Sequence, residues 1–269
     1  MFEVREAKIQ SASQKYRGAQ SPSAKWLLRV GRTFFEGYHT ALELSSFDAI
    51  KEQAEAQNDL LRGFFYEGIG AGLALKDLLF SWGQKESDTT FQRFLNTHGE
   101  LHPEVLYVGM GMTYGRSRLS PNRRLRRIDQ NYRRFVIDGL AFCQVAAIKY
   151  HCERVGYPAW LAEKDRHSFD LGVGRCAWFV ENGDAERIAS VFSSMPQPRQ
   201  KGLWQGLGVS MTYAGKAPES TVKALNEAAG VWSSELALGS RTACEMRTRG
   251  RTPAPHSREA YGYLVKSDV

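Results

Sequence analysis

LLRGFFYEGIGAGLAL, Leu60–Leu75, reads as an apolar helix, yet it carries Gly63, Gly68, Gly70 and Gly72, with Glu67 in its middle. Each glycine inside a helix costs about 1 kcal/mol relative to alanine. Close packing of neighbouring helices is the compensation that small residues allow. A phosphate-cradling glycine loop is the weaker alternative, because no strand precedes the stretch and no βαβ pattern surrounds it.

The arrangement recurs. Six segments share an aromatic or apolar entry, a glycine and an apolar helical continuation: FFEGYHTALE from Phe34, FFYEGIGAGLALKDLL from Phe64, LYVGMGMTYG from Leu106, FVIDGLAFCQVAA from Phe135, FDLGVGRCAWFV from Phe169 and LWQGLGVSMTYAG from Leu203. With Gly37, Gly68, Gly109, Gly139, Gly172 and Gly206 as anchors, the spacings are 31, 41, 30, 33 and 34 residues. Shorter amphipathic stretches lie between them: SSFDAIKEQAEA from Ser45, DTTFQRFLNTHG from Asp88, GDAERIASVFSSM from Gly183 and PESTVKALNEAAG from Pro218. Each opens on a helix-start residue and spaces its apolar residues by three and four. The period matches helical-hairpin repeats. The pattern predicts an all-α chain of about six hairpin units, each a glycine-rich inner helix plus an amphipathic outer one, stacked as a solenoid or an α/α toroid. The third and sixth copies are the most alike, which implies a three-plus-three duplication with halves at about 30–118 and 130–240 of a single domain, 1–269, joined by a basic segment, 116–134. The basic, proline-containing C-terminal stretch from Arg241 is expected to cap the stack.

The residue before the anchor glycine is acidic in three units, as Glu36, Glu67 and Asp138; in the fifth the acid, Asp170, stands one position earlier. Inner helices in similar register would bring these four groups towards one layer of a cavity. Tyr66, Phe65, Tyr107, Phe142, Trp178, Trp204, Gln205 and Arg175 accompany them as candidate substrate-binding residues. A carboxyl group in an apolar, aromatic-lined pocket has a raised pKa and serves as a general acid or base. The bland alternative pairs these acids structurally with Arg32, Arg62, Arg134 and Arg175.

With 269 residues, 42% apolar and 24% charged, the composition is that of a globular protein. It shows no signal peptide and no run of the roughly 18 apolar residues that a membrane span needs, so a cytoplasmic protein is expected. Cys143, Cys152, Cys176 and Cys244 form no CxxC pair and read as free thiols. No metal site and no cofactor are expected: Glu36 and His39 form a lone E-x-x-H without the second copy a di-iron bundle requires. The net charge of +7 is concentrated in RSRLSPNRRLRRIDQNYRRF, Arg116–Phe135. No nucleic-acid-binding motif accompanies it, so nucleic acid is not the expected partner. An acidic carrier protein, met through Arg123, Arg124, Arg126 and Arg127, suits the charge equally well.

On RGFFYEGIGAGLAL, YVGMGMTYGR, VIDGLAF, FDLGVGRCAWFV, LWQGLGVSMTYAG and LALGSRTACEMRTRG, the chain resembles the UnbL-like proteins, a bacterial family of unassigned function found with enediyne polyketide gene sets. The resemblance implies an accessory protein of natural-product biosynthesis acting on a polyene or enediyne-like intermediate, and it brings no catalytic residues with it. It departs after Asp138, where a histidine is expected soon after the aspartate–glycine pair and Cys143 stands instead. Together these readings lead to an acid/base-assisted cyclase or isomerase for a hydrophobic intermediate. A non-catalytic protein that binds such an intermediate and a scaffold for an acidic carrier are the alternatives.

Overall fold

A computed structural model describes residues 22–80, 85–117, 121–147, 151–252 and 254–266; part of the basic segment, 118–120, lies outside them. Among the described residues every regular element is a helix and there is no strand. The glycine-bearing helices are α1 (Pro22–Glu43), α3 (Asp59–Phe80), α5 (Pro103–Arg116), α7 (Gln130–Ala147), α8 (Arg166–Val180), α10 (Gln197–Ala214) and α12 (Ser233–Arg249). Each packs on the next in that order. The row therefore extends beyond the six units expected: α12 continues it with Gly239, and α13 (Pro255–Lys266) packs on α12 as the cap.

The outer layer holds α2 (Phe47–Glu55), α4 (Thr90–His98), α9 (Ala185–Ser193) and α11 (Glu219–Ala229), at the four amphipathic stretches. Side chains start three of them: Ser46, Thr89 and Asp184 each accept a hydrogen bond from the backbone N–H three residues on. A short α6 (Asn122–Leu125) precedes α7, and two single 3-10 turns, Cys152–Arg154 and Glu163–Asp165, precede α8.

Backbone proximity explains the opening glycines. A methyl group on Gly68 would collide with the carbonyl of Phe34 on α1, and one on Gly70 with the carbonyl of Leu106 on α5. The same alternation, one glycine against the preceding helix and one two residues later against the next, holds for Gly109 and Gly111, Gly172 and Gly174, and Gly206 and Gly208. Helices this close gain dispersion and Cα–H···O contacts along their length, which offsets the weak helix propensity.

Register follows from the same contacts. Gly111 and Gly115 meet the carbonyls of Val136 and Leu140, and Gly202 and Gly206 those of His167 and Leu171. Steps of four on both helices mean that neighbours run parallel. Parallel neighbours need a return connection, and the outer helices supply four of the six along the row.

Side-chain hydrogen bonds tie the first helices of the row to later ones. Trp26 Nε1 on α1 donates to the Ala214 carbonyl at the end of α10 (2.9 Å). Arg247, near the end of α12 and 2% exposed, donates Nε to the Tyr213 carbonyl (3.0 Å), Nη1 to those of Asp59 and Thr252 (both 3.3 Å), and Nη2 to Leu60 (3.1 Å) and again to Tyr213. One guanidinium thus ties α10 and α12 to the first residues of α3.

Candidate functional site

Successive helical residues turn by about 100°. With the anchor glycine facing the preceding helix and its partner two positions on facing the next, the residue before the anchor points to one face of the row. The residue two before it points to the opposite face, under the outer helices.

That opposite face takes Tyr66, Tyr107 and Trp204. Tyr66 donates its hydroxyl to Glu55 Oε1 at the end of α2 (3.0 Å) and stacks on His102 at 4.0 Å. Tyr107 meets Phe91 of α4 at 5.1 Å, and Trp204 meets Phe192 of α9 at 5.0 Å. These rings cement the two layers rather than line an inner cavity. The correction has a plain cause: they stand two positions before the anchor, one step around the helix from the acids. Phe65 and Trp178 are likewise buried in the core.

The other face holds the site. Glu67 on α3, Asp138 on α7 and Arg175 on α8 are all buried, at 3, 7 and 8% exposure. Arg175 Nη1 donates to Asp138 Oδ1 at 2.7 Å and Nη2 to Glu67 Oε1 at 3.4 Å. Val108 occupies the equivalent position on the intervening α5. Phe142, three residues past its anchor as Arg175 is past its own, lies 5.6 Å from the guanidinium. Tyr213, which the sequence did not single out, sets its hydroxyl against Gly63 and feels the charges of Glu67 and Arg175.

Two carboxyl groups thus share one cation out of water. Burial pushes Glu67 up to about 7, Arg175 opposes the rise and Asp138 adds to it. Burial raises Asp138 as well, against the pull of Arg175. Burial alone would lower Arg175, but the two carboxylates hold it above its ordinary value. Two carboxyl groups on one buried cation thus both favour protonation more than free carboxylates do, Glu67 up to about 7.

The four acids do not converge. Glu36 has the right position, but α1 ends the row, and the residue is exposed, lining a surface hollow of about 520 Å³ with Lys25, Arg29 and Arg32. Asp170, two before its anchor, turns to the outer side. There Arg199 Nε (2.7 Å) and Nη2 (2.6 Å) reach its Oδ1, and the Tyr157 hydroxyl donates to its Oδ2 at 2.5 Å. Burial lifts Asp170 while Tyr157 and Arg199 hold it back; burial and the bond to Asp170 push Tyr157 up to about 12. Tyr157 and Arg199 lie 13 and 29 residues from Asp170, and no local pattern links them. Gln205 Oε1 accepts a hydrogen bond from His167 Nε2 at 2.9 Å. In the basic segment, Arg124 lies over the Tyr114 ring at 5.8 Å, Arg123 and Arg127 are exposed, and Arg126 lines a second hollow.

Fold and site together define an all-helical protein whose layered helices bury two carboxyl groups on one arginine. The chain belongs to the family described as "Protein of unknown function (DUF1702)", whose family model matches residues 1–269. Comparison with curated proteins and with solved structures gave no match.

Proposed function

We propose that the protein is an acid/base isomerase or cyclase for a hydrophobic polyene- or polyketide-type intermediate, with Glu67 as the proton-exchanging group. The observation that carries this proposal is the wholly buried Glu67, held at about 7 beside Asp138 on a shared Arg175. A carboxyl group poised near the working pH is matched to proton transfer in both directions. Protonated Glu67 adds its proton to one carbon of a conjugated chain, and its carboxylate then takes a proton from another carbon. The double bonds shift or a ring closes, with no change of oxidation state. Arg175 stabilises the carboxylate between the two steps, and the Phe142 ring offers its face to positive charge on the chain. The biosynthetic setting rests on the resemblance to the UnbL-like proteins.

The two surface hollows are lined by other residues than Glu67, which favours a second reading, a non-catalytic protein that shelters the intermediate. Glu67→Gln separates the two. Turnover of a polyene fraction from producing cells should fall at least a hundredfold with binding retained; undiminished turnover would remove the acid/base role and leave the sheltering one.

A further inference from the structure

A second cavity lies at the start of α7 and the approach to α8, away from Glu67. It measures about 360 Å³ and is lined by Asn122, Arg126, Gln130, Arg133, Trp160, Ala162 and Lys164. No acid is among the lining residues. Of its three cations, Arg133 is already committed: Nη2 pairs with Asp165 Oδ2 at 2.7 Å and Nη1 donates to the Leu125 carbonyl, also at 2.7 Å. Arg126 and Lys164 have no acidic partner among the described residues. The carboxamides of Asn122 and Gln130 add neutral donors, and the half-buried Trp160 ring forms an apolar wall. The nearby helix starts contribute little net charge, since Asp129 caps α7 through the Asn131 N–H (2.8 Å) and Asp165 meets Arg133. The attraction for an anion therefore comes from two unneutralised side chains that reach the cavity from different segments.

We infer that this cavity binds a small phosphate monoester, the phosphate between Arg126 and Lys164 and its organic substituent on Trp160. A guanidinium and an ammonium suit the terminal oxygens of a phosphate, which accept several charge-assisted hydrogen bonds at once. The volume falls at the lower end of the range for small-ligand sites, enough for a phosphate and a compact planar or apolar group. The other hollow is also basic, with Lys25, Arg29 and Arg32, but its lining includes the acid Glu36 and has no aromatic wall. It serves as the control.

Calorimetric titration of the full chain with phenyl phosphate, inorganic phosphate and phenol tests the assignment. Phenyl phosphate should bind saturably, inorganic phosphate more weakly and phenol not at all. Arg126→Ala and Lys164→Ala should each weaken phenyl phosphate about tenfold, and Trp160→Ala should remove its advantage over inorganic phosphate. Both cations are exposed, so melting temperatures should stay at the wild-type value. No saturable binding at millimolar phenyl phosphate overturns the inference. So does binding that survives the Arg126→Ala/Lys164→Ala pair, or that is lost in Lys25→Ala/Arg32→Ala instead. None of these outcomes touches Glu67, so the fate of the acid/base proposal is decided separately.

Discussion

Arg247 and Arg175 are both buried, and both join helices far apart in sequence, but they are satisfied in opposite ways. Arg247 spends its donors on backbone carbonyls of Tyr213, Asp59, Leu60 and Thr252, and its plane lies 4.4 Å from the Tyr213 ring. Arg175 spends its donors on two carboxyl groups. A carbonyl cannot titrate, so the first contact behaves alike at every ordinary pH. Two carboxylates on one cation leave an excess negative charge in a dry place, and a retained proton removes it. The same residue type thus builds a fixed joint at one point of the row and a proton store at another.

The largest effect is expected at the joint. Arg247→Met leaves carbonyls of three separate segments without their donor, at a cost of roughly 3–5 kcal/mol. Chemical denaturation at pH 5.5 and 8.5 should give the same loss at both. A loss confined to one pH would end the contrast with Arg175.

At the proton store the loss should depend on pH. Arg175→Met strands Glu67 and Asp138 as unpaired buried carboxylates at pH 8.5, again roughly 3–5 kcal/mol. As pH falls and the two raised carboxyl groups take up protons, the loss should shrink towards the packing cost. Equal destabilisation at the two pH values would show that the carboxyl groups are not what Arg175 serves.

Glu67→Gln comes next and carries the opposite sign. The folded-state pKa of Glu67 is raised from its ordinary 4.5 to about 7, so the native state binds the extra proton between those values. The stability this brings is fully present below about 4.5 and is lost as pH rises through about 7. Glutamine mimics the protonated form and cannot lose it. The variant should match the wild type near pH 5 and exceed it by on the order of 2 kcal/mol at pH 8.5. A variant less stable than the wild type at pH 8.5 would mean that ionised Glu67 is a structural ion pair.

Much of this was legible in the sequence, and the limits have physical causes. The glycine anchors and amphipathic stretches are local periodic signals, and they locate the inner and outer helices well. Glu67 and Asp138 were legible because they precede anchors, so packing direction fixes their face. The sequence offers Arg175 both as a substrate-binding residue and as a structural partner of the acids; the structure pairs it with Asp138 and Glu67, 37 and 108 residues away, a choice that no local pattern could make. Glu36 does not join the others because an end of the row is not marked in its own residues: the same acid–glycine pair faces neighbours in the interior, as Glu67 and Gly68, and solvent at the edge, as Glu36 and Gly37. Gly239 escaped the count since its segment lacks the aromatic entry shared by the others, and one glycine suffices where a single neighbour must be approached. Tyr157 and Arg199 had no signal at all, because loops and distant helices meet at Asp170 only after folding.

The finest test leaves both arginines in place and changes how Arg175 is shared. Asp138 is its nearer partner, at 2.7 Å against 3.4 Å for Glu67, and its charge helps to raise Glu67. Asp138→Asn keeps the shape, removes that repulsion and leaves Glu67 the only carboxylate on the guanidinium. Stability should change by less than in any variant above, since a neutral amide still accepts from Arg175 and the remaining pair is charge-balanced. The carboxyl carbon resonance of Glu67 should then titrate below the wild-type value of about 7, and any activity that depends on a proton held near neutrality should shift its optimum downward with it. A midpoint unchanged or raised in Asp138→Asn would mean that burial alone sets Glu67, and that the second carboxyl group is not part of the store.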